Sequence, residues 1–74
     1  MNRKQKAFLA RLGARIRRSR QDRGWSQMKL ADEAGLTQKY ISEIECGKRN
    51  PSIDCVRRIG ESLGLEIRRL FQEE

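Results

Sequence analysis

Seventy-four residues make one small domain, and a chain of that length buries only about 60% of the surface its unfolded form exposes, so stability is modest and a second copy would add to it. Seventeen Lys and Arg against ten Asp and Glu give a net charge of +7, which favours a polyanionic partner, nucleic acid or an anionic membrane surface. No run approaches the roughly 18 apolar residues of a bilayer span, no apolar stretch follows the basic N-terminus as in a signal peptide, and there is no histidine to activate a thiolate or complete a zinc site beside Cys46 and Cys55.

These features lead us to expect a cytoplasmic protein with two reduced thiols, no cofactor, no metal and no membrane partner. The charge is unevenly spread. Residues 1–25 carry +8, residues 26–50 balance, and residues 51–74 carry −1. The basic footprint therefore belongs to the first helix and its arm.

Taken in order, residues 1–6 show no apolar periodicity and are expected to form a basic arm, a solvated tail in preference to a grip on phosphate, ahead of a domain spanning 7–74. Over 7–23, Phe8, Leu9, Leu12 and Ile16 recur at helical spacing, with Arg11, Arg15 and Arg18 on the opposing side. The apolar stripe fades after Ile16, too short for a helix that lies on a membrane.

Gly24, Trp25 and Ser26 then spell a helix end, an apolar residue and a cap, with Leu30 placed as the staple partner of Trp25. The next helix, 27–34, buries Leu30, Ala31 and Ala34. Gln27 sits on its first turn, where free backbone N–H groups and the helix dipole attract a phosphate. Gly35, Leu36 and Thr37 repeat the same grammar and open a third helix over 38–46, with Leu36 stapled to Ile41.

That third helix buries Ile41 and Ile44 and turns Gln38, Lys39, Ser42 and Glu43 outward. Gln pairs bidentately with adenine, Lys donates to guanine, Ser is permissive and Glu accepts from cytosine N4, so this face can read bases in double-stranded DNA. Most polar helical faces are simply solvated, and the reading gains from the basic chain around it. Tyr40, at the margin, can pack on a neighbouring helix or give its hydroxyl to a phosphate. Glu45 falls on the inward side, where a carboxylate needs a partner, and Arg20 is the candidate.

Residues 47–52 form a loop in which Lys48, Arg49 and Asn50 are donors beside the end of the reading helix, and Pro51 and Ser52 set up the next helix start. Over 53–63, Ile53, Val56, Ile59, Gly60 and Leu63 are expected to face the core. Over 66–72, Ile67, Leu70 and Phe71 offer more apolar surface than a short helix hides on its own domain, which points to a homodimer interface.

The stretch 12–71 resembles the Cro and phage-repressor type of helix-turn-helix family, also called the xenobiotic-response-element family. The resemblance rests on Arg20, Ser26-Gln27, Leu30-Ala31, Gly35-Leu36-Thr37, Tyr40-Ile41-Ser42, Ile44-Glu45, Gly47, Pro51-Ser52 and Leu70-Phe71. It implies an all-α, compact five-helix, lambda-repressor-like domain that binds a pseudo-palindromic operator as a homodimer by major-groove insertion. Gln27 matches the family's phosphate-binding glutamine, Gln38, Lys39, Ser42 and Glu43 its base readers, Lys48, Arg49 and Asn50 its phosphate-contacting loop, and Arg20 with Glu45 its buried ion pair.

The chain departs from the family pattern at Trp25, where a smaller aliphatic residue is usual, and at Glu43, an anion on the reading face. Its shortness implies a stand-alone regulator with no small-molecule sensing domain: a restriction-modification controller, a small phage-type repressor or a toxin-linked antitoxin. The competing reading is a protein-interaction module, an antitoxin for example, docking a partner on the arginine face of the first helix or on the C-terminal segment. RNA binding is weaker, since Phe8, Trp25, Tyr40 and Phe71 are too scattered for a stacking platform. An enzyme is disfavoured, for there is no glycine-rich phosphate loop and no pair of carboxylates in a common cleft.

Overall fold

The computed structural model describes residues 2–70 and contains five helices in that span: α1 (Arg3–Asp22), α2 (Gln27–Ala34), α3 (Gln38–Glu45), α4 (Ile53–Ser62) and α5 (Ile67–Leu70). The all-helical, five-helix expectation holds. Side-chain caps open the first four: Asn2, Ser26, Thr37 and Ser52 each accept from the backbone N–H three residues on, at 2.8 to 3.1 Å.

Asn2 accounts for one correction. Residues 3–6 are not a free arm but the first turn of α1, because Asn2 caps the helix and Arg, Lys and Gln are good helix formers that need no apolar neighbour. At the turn between α2 and α3, Gly35 adopts φ +70°, ψ +36°, and the Leu36 N–H reaches back to the Ala31 carbonyl at 2.9 Å. Only a residue without a Cβ takes that left-handed step cheaply, and it ends α2 abruptly enough for α3 to begin three residues later.

The core joins Leu12 and Ile16 of α1, Leu30, Ala31 and Ala34 of α2, Ile41 and Ile44 of α3, and Val56, Ile59, Leu63 and Leu70 from the C-terminal part, with Trp25 and Leu36 packed at its edge. α1 packs on α3 and α5, while α2 packs on α3 and α4. At the α1–α3 crossing the backbones nearly touch. A Cβ built on Gly13 would overlap the Ile44 carbonyl oxygen and lie 2.9 Å from that of Glu45.

Two further expectations are corrected. Ile53 does not face the core; it is 69% exposed, because the first residue after the Ser52 cap lies at the outer end of α4. Leu70 is only 2% exposed, folded onto the domain's own core, so it supplies no open apolar surface for a dimer. Phe71, expected beside it, lies outside the described residues, as does the side chain of Ile67.

Candidate nucleic-acid interface

α3 divides cleanly into two sides. Ile41 and Ile44 are essentially without exposure, and from the other side project Gln38 and Lys39, both exposed, and Ser42 and Glu43, both half-buried. Positions 38 and 42, and 39 and 43, are each four apart, so the four side chains form two adjacent rows one helical turn deep.

Glu43 is not a bare anion. Arg49, from the loop after α3, places Nε 2.9 Å and a terminal nitrogen 2.8 Å from Glu43 Oε1. The Arg49 guanidinium also lies over the Tyr40 ring, 4.7 Å from its centroid. Both contacts to Glu43 fall on Oε1, which leaves the accepting capacity of Oε2 for another donor. The Lys48 N–H bonds the Glu43 carbonyl at 2.9 Å, so the loop carrying Lys48, Arg49 and Asn50, all exposed, is fastened to the end of α3.

Tyr40 is half-buried and its hydroxyl is engaged with the Cys55 side chain and the Ser52 backbone. Burial first, and the Cys55 bond second, push the hydroxyl above its ordinary value, so it stays protonated at neutral pH. A phosphate would have to compete for it. Cys46 is exposed and Cys55 half-buried, both free thiols. Among the described residues no group of His, Cys, Asp and Glu could hold a metal ion, and no helix is long and apolar enough to cross a membrane.

Behind the outer face of α3, Arg20 meets Glu45 in a two-pronged pair, Nε to Oε2 at 2.7 Å and a terminal nitrogen to Oε1 at 2.9 Å, with side chains only 11% and 2% exposed. The remaining terminal nitrogen of Arg20 donates to the Trp25 carbonyl at 2.7 Å. The bond to Glu45, aided by its charge and opposed by burial, holds the Arg20 guanidinium above its ordinary pKa. Gln27 joins the group: its amide donates to Glu45 Oε1 at 3.1 Å. Sequence reasoning left Gln27 as an isolated donor on the first turn of α2, whereas one of its two amide hydrogens is committed to Glu45.

Four points were not found from the sequence: the closeness demanded at Gly13, the Gln27–Glu45 bond, the Arg49–Glu43 pair, and two arginine clamps from α1. In those clamps Arg15 donates to the Arg69 carbonyl at 2.8 Å and Arg23 to the Leu63 carbonyl at 2.9 and 3.1 Å. Gly13 was signalled, since a glycine on a buried helical stripe marks a close backbone approach. The arginine partners were not, because a long side chain can reach several neighbours.

Comparison with known proteins adds independent findings. Residues 11–70 match the helix-turn-helix domain family. The chain is 32% identical over 63 residues to the immunity repressor protein of Bacillus phage phi105, covering 85% of this chain and 44% of that protein. The chain spans about half the length of the curated relatives it matches, 44% of that repressor and 58% of the Bacillus subtilis regulator SinR.

Among solved structures, the restriction-modification controller protein C.AhdI from Aeromonas hydrophila superposes with a TM-score of 0.85 at 37% identity, covering 88% of this chain and 98% of that one. The biofilm master regulator SinR, solved in complex with DNA, superposes with a TM-score of 0.79 at 32% identity, covering 82% and 98%.

Proposed function

The chain belongs to the helix-turn-helix domain family, and from that premise we propose that it is a sequence-specific transcriptional regulator of double-stranded DNA in the cytoplasm. It acts as a homodimer on a pseudo-palindromic operator, in the manner of a restriction-modification controller or a small phage-type repressor. The single observation that carries this reading is the outer face of α3, where Gln38, Lys39, Ser42 and Glu43 stand in two rows on a helix whose other side is fully buried.

A major groove about 12 Å wide admits such a helix. Gln38 then pairs with adenine, Lys39 donates to guanine, Ser42 fits either, and Glu43 Oε2 accepts from cytosine N4 while Arg49 holds Oε1. Gln27, through its second amide hydrogen, and Lys48, Arg49 and Asn50 fix the register on phosphates, with Tyr40 contributing only if its hydroxyl exchanges its present partners.

The test is selection of bound sequences from a random duplex library at two salt concentrations. Enrichment of an inverted repeat that survives the higher salt is the expected result. Retention without any enriched sequence, lost as salt rises, would reduce the interaction to charge alone and overturn the proposal.

A further inference from the structure

Much of the basic charge on α1 points away from any duplex that α3 could enter. α1 lies behind α3, since Gly13 meets the Ile44 and Glu45 carbonyls and Arg20 grips Glu45 on the buried side. At 3.6 residues per turn, positions 11 and 15 stand about 200° round the helix from Gly13, and position 18 about 140°. The domain is 21 Å through even along its shortest axis. The Debye length at physiological salt is about 8 Å, so charges on the far side are largely screened from DNA phosphates in front of α3.

On that far side Arg15, Arg18 and Ser19 of α1 line a groove with Leu65, Arg69 and Leu70. Arg15 is held at its edge by the bond to the Arg69 carbonyl. The groove holds roughly 200 Å³, below the 300–1,000 Å³ of small-molecule pockets and suited to one or two side chains. Guanidinium forks match carboxylates bidentately, half-buried Leu65 supplies an apolar wall, and among the described residues the lining has no aromatic face on which a base could stack.

We propose that this groove between α1 and α5 docks an acidic segment of a partner protein, an Asp or Glu pair next to an aliphatic residue, while α3 is free to occupy DNA. The surface would let a second protein be recruited to, or sense, the DNA-bound state without displacing it.

The test uses the full chain, labelled for amide NMR, and a nine-residue peptide of three Glu-Glu-Leu repeats as probe, with the Lys-Lys-Leu counterpart as control. Shifts confined to Arg15, Arg18, Ser19, Leu65 and Arg69 are expected, unchanged when the protein is saturated with duplex. Arg18→Glu, at an exposed side chain, should weaken the peptide about tenfold, a loss of about 1.4 kcal/mol. Arg18→Gln should weaken it less, and DNA affinity and its salt slope should stay unchanged in both.

Competition between peptide and duplex, or a DNA salt slope lowered by Arg18→Glu, would assign these arginines to DNA and overturn the proposal. So would equal binding of the lysine peptide, or shifts produced here by single-stranded RNA instead of the peptide. A gain of about tenfold for Glu73→Gln/Glu74→Gln would mean that the chain's own acidic residues fill the groove, overturning the external partner. Because the peptide titration is run first without DNA, its failure is distinct from a failure to select an operator.

Discussion

Replacing Glu45 with alanine tests the support of α3 most directly. The carboxylate accepts two bonds from Arg20 and one from Gln27, at 2.7, 2.9 and 3.1 Å, and its side chain is 2% exposed. Removing it leaves a guanidinium that is 11% exposed and bonded, among the described residues, to the Trp25 carbonyl alone. Breaking a buried pair from one side costs about 3–5 kcal/mol, and the small exposure of Arg20 places this case near the lower end, about 3 kcal/mol.

A 74-residue domain has about 4–11 kcal/mol in all, so the variant loses a large share of its stability. Urea unfolding should show a lower midpoint at unchanged slope, and Tm should fall by roughly 12–24 °C, at about 4–8 °C per kcal/mol. The double variant Arg20→Met/Glu45→Leu should recover most of that loss, because two well-packed apolar side chains leave no charge stranded. A Glu45→Ala loss below about 1 kcal/mol would refute the reasoning, since it would mean that water already reaches the pair.

Gly13→Ala should destabilise by about 1–3 kcal/mol despite the better helix propensity of alanine, because the new methyl meets backbone carbonyls of α3 that cannot swing aside; a variant with an unchanged or raised Tm would refute the close crossing. Gln38→Ala should weaken specific binding by about 1–3 kcal/mol in gel-shift titrations and leave non-specific binding nearly untouched, and equal loss on both kinds of DNA would remove its base-reading role. Asp54 sits in the first turn of α4, where Arg57 above all, with Arg58, holds its carboxyl below the ordinary 3.8. The stability advantage over Asp54→Asn should therefore be complete above that value and vanish as pH falls through the depressed one, and an advantage that persists in more acid solution, or grows there, would show that the charge is not its source.

The caps were the most legible part of the chain. Ser26, Thr37 and Ser52 fall where a glycine or proline followed by a hydroxyl residue places them, so the bounds of α2 and the starts of α3 and α4 followed from local chemistry alone. The start of α1 did not, because a helix turn made only of Arg, Lys and Gln carries no apolar rhythm to detect, and its signal rests on Asn2. The pairing of Arg20 with Glu45 was legible because a carboxylate on an inward position demands a cation. That of Arg49 with Glu43 was not, since neither residue is forced to find a partner at a surface. Leu70 was misassigned to an interface because a short apolar segment looks the same whether it covers its own core or another molecule's, and only the packing of α5 on α1 and α4 decides between them.

An eight-residue helix is marginal by itself, so the rows on α3 can hold a fixed register only if the rest of the domain imposes it. Arg20, Gln27 and Glu45 link the end of α1, the start of α2 and the inner side of α3, and Gly13 lets α1 press directly against the carbonyls that follow. With orientation supplied from behind, the face proposed to read bases needs no net charge of its own. Glu43 would repel the phosphates flanking a groove if it stood alone. Held by Arg49 through one oxygen, it presents the other as an acceptor with its charge largely balanced. On the proposed reading, that arrangement would favour discrimination between bases over attraction to DNA in general, and a strongly basic chain can carry a nearly neutral α3 because most of its excess cations stand on α1, away from the face proposed to read bases.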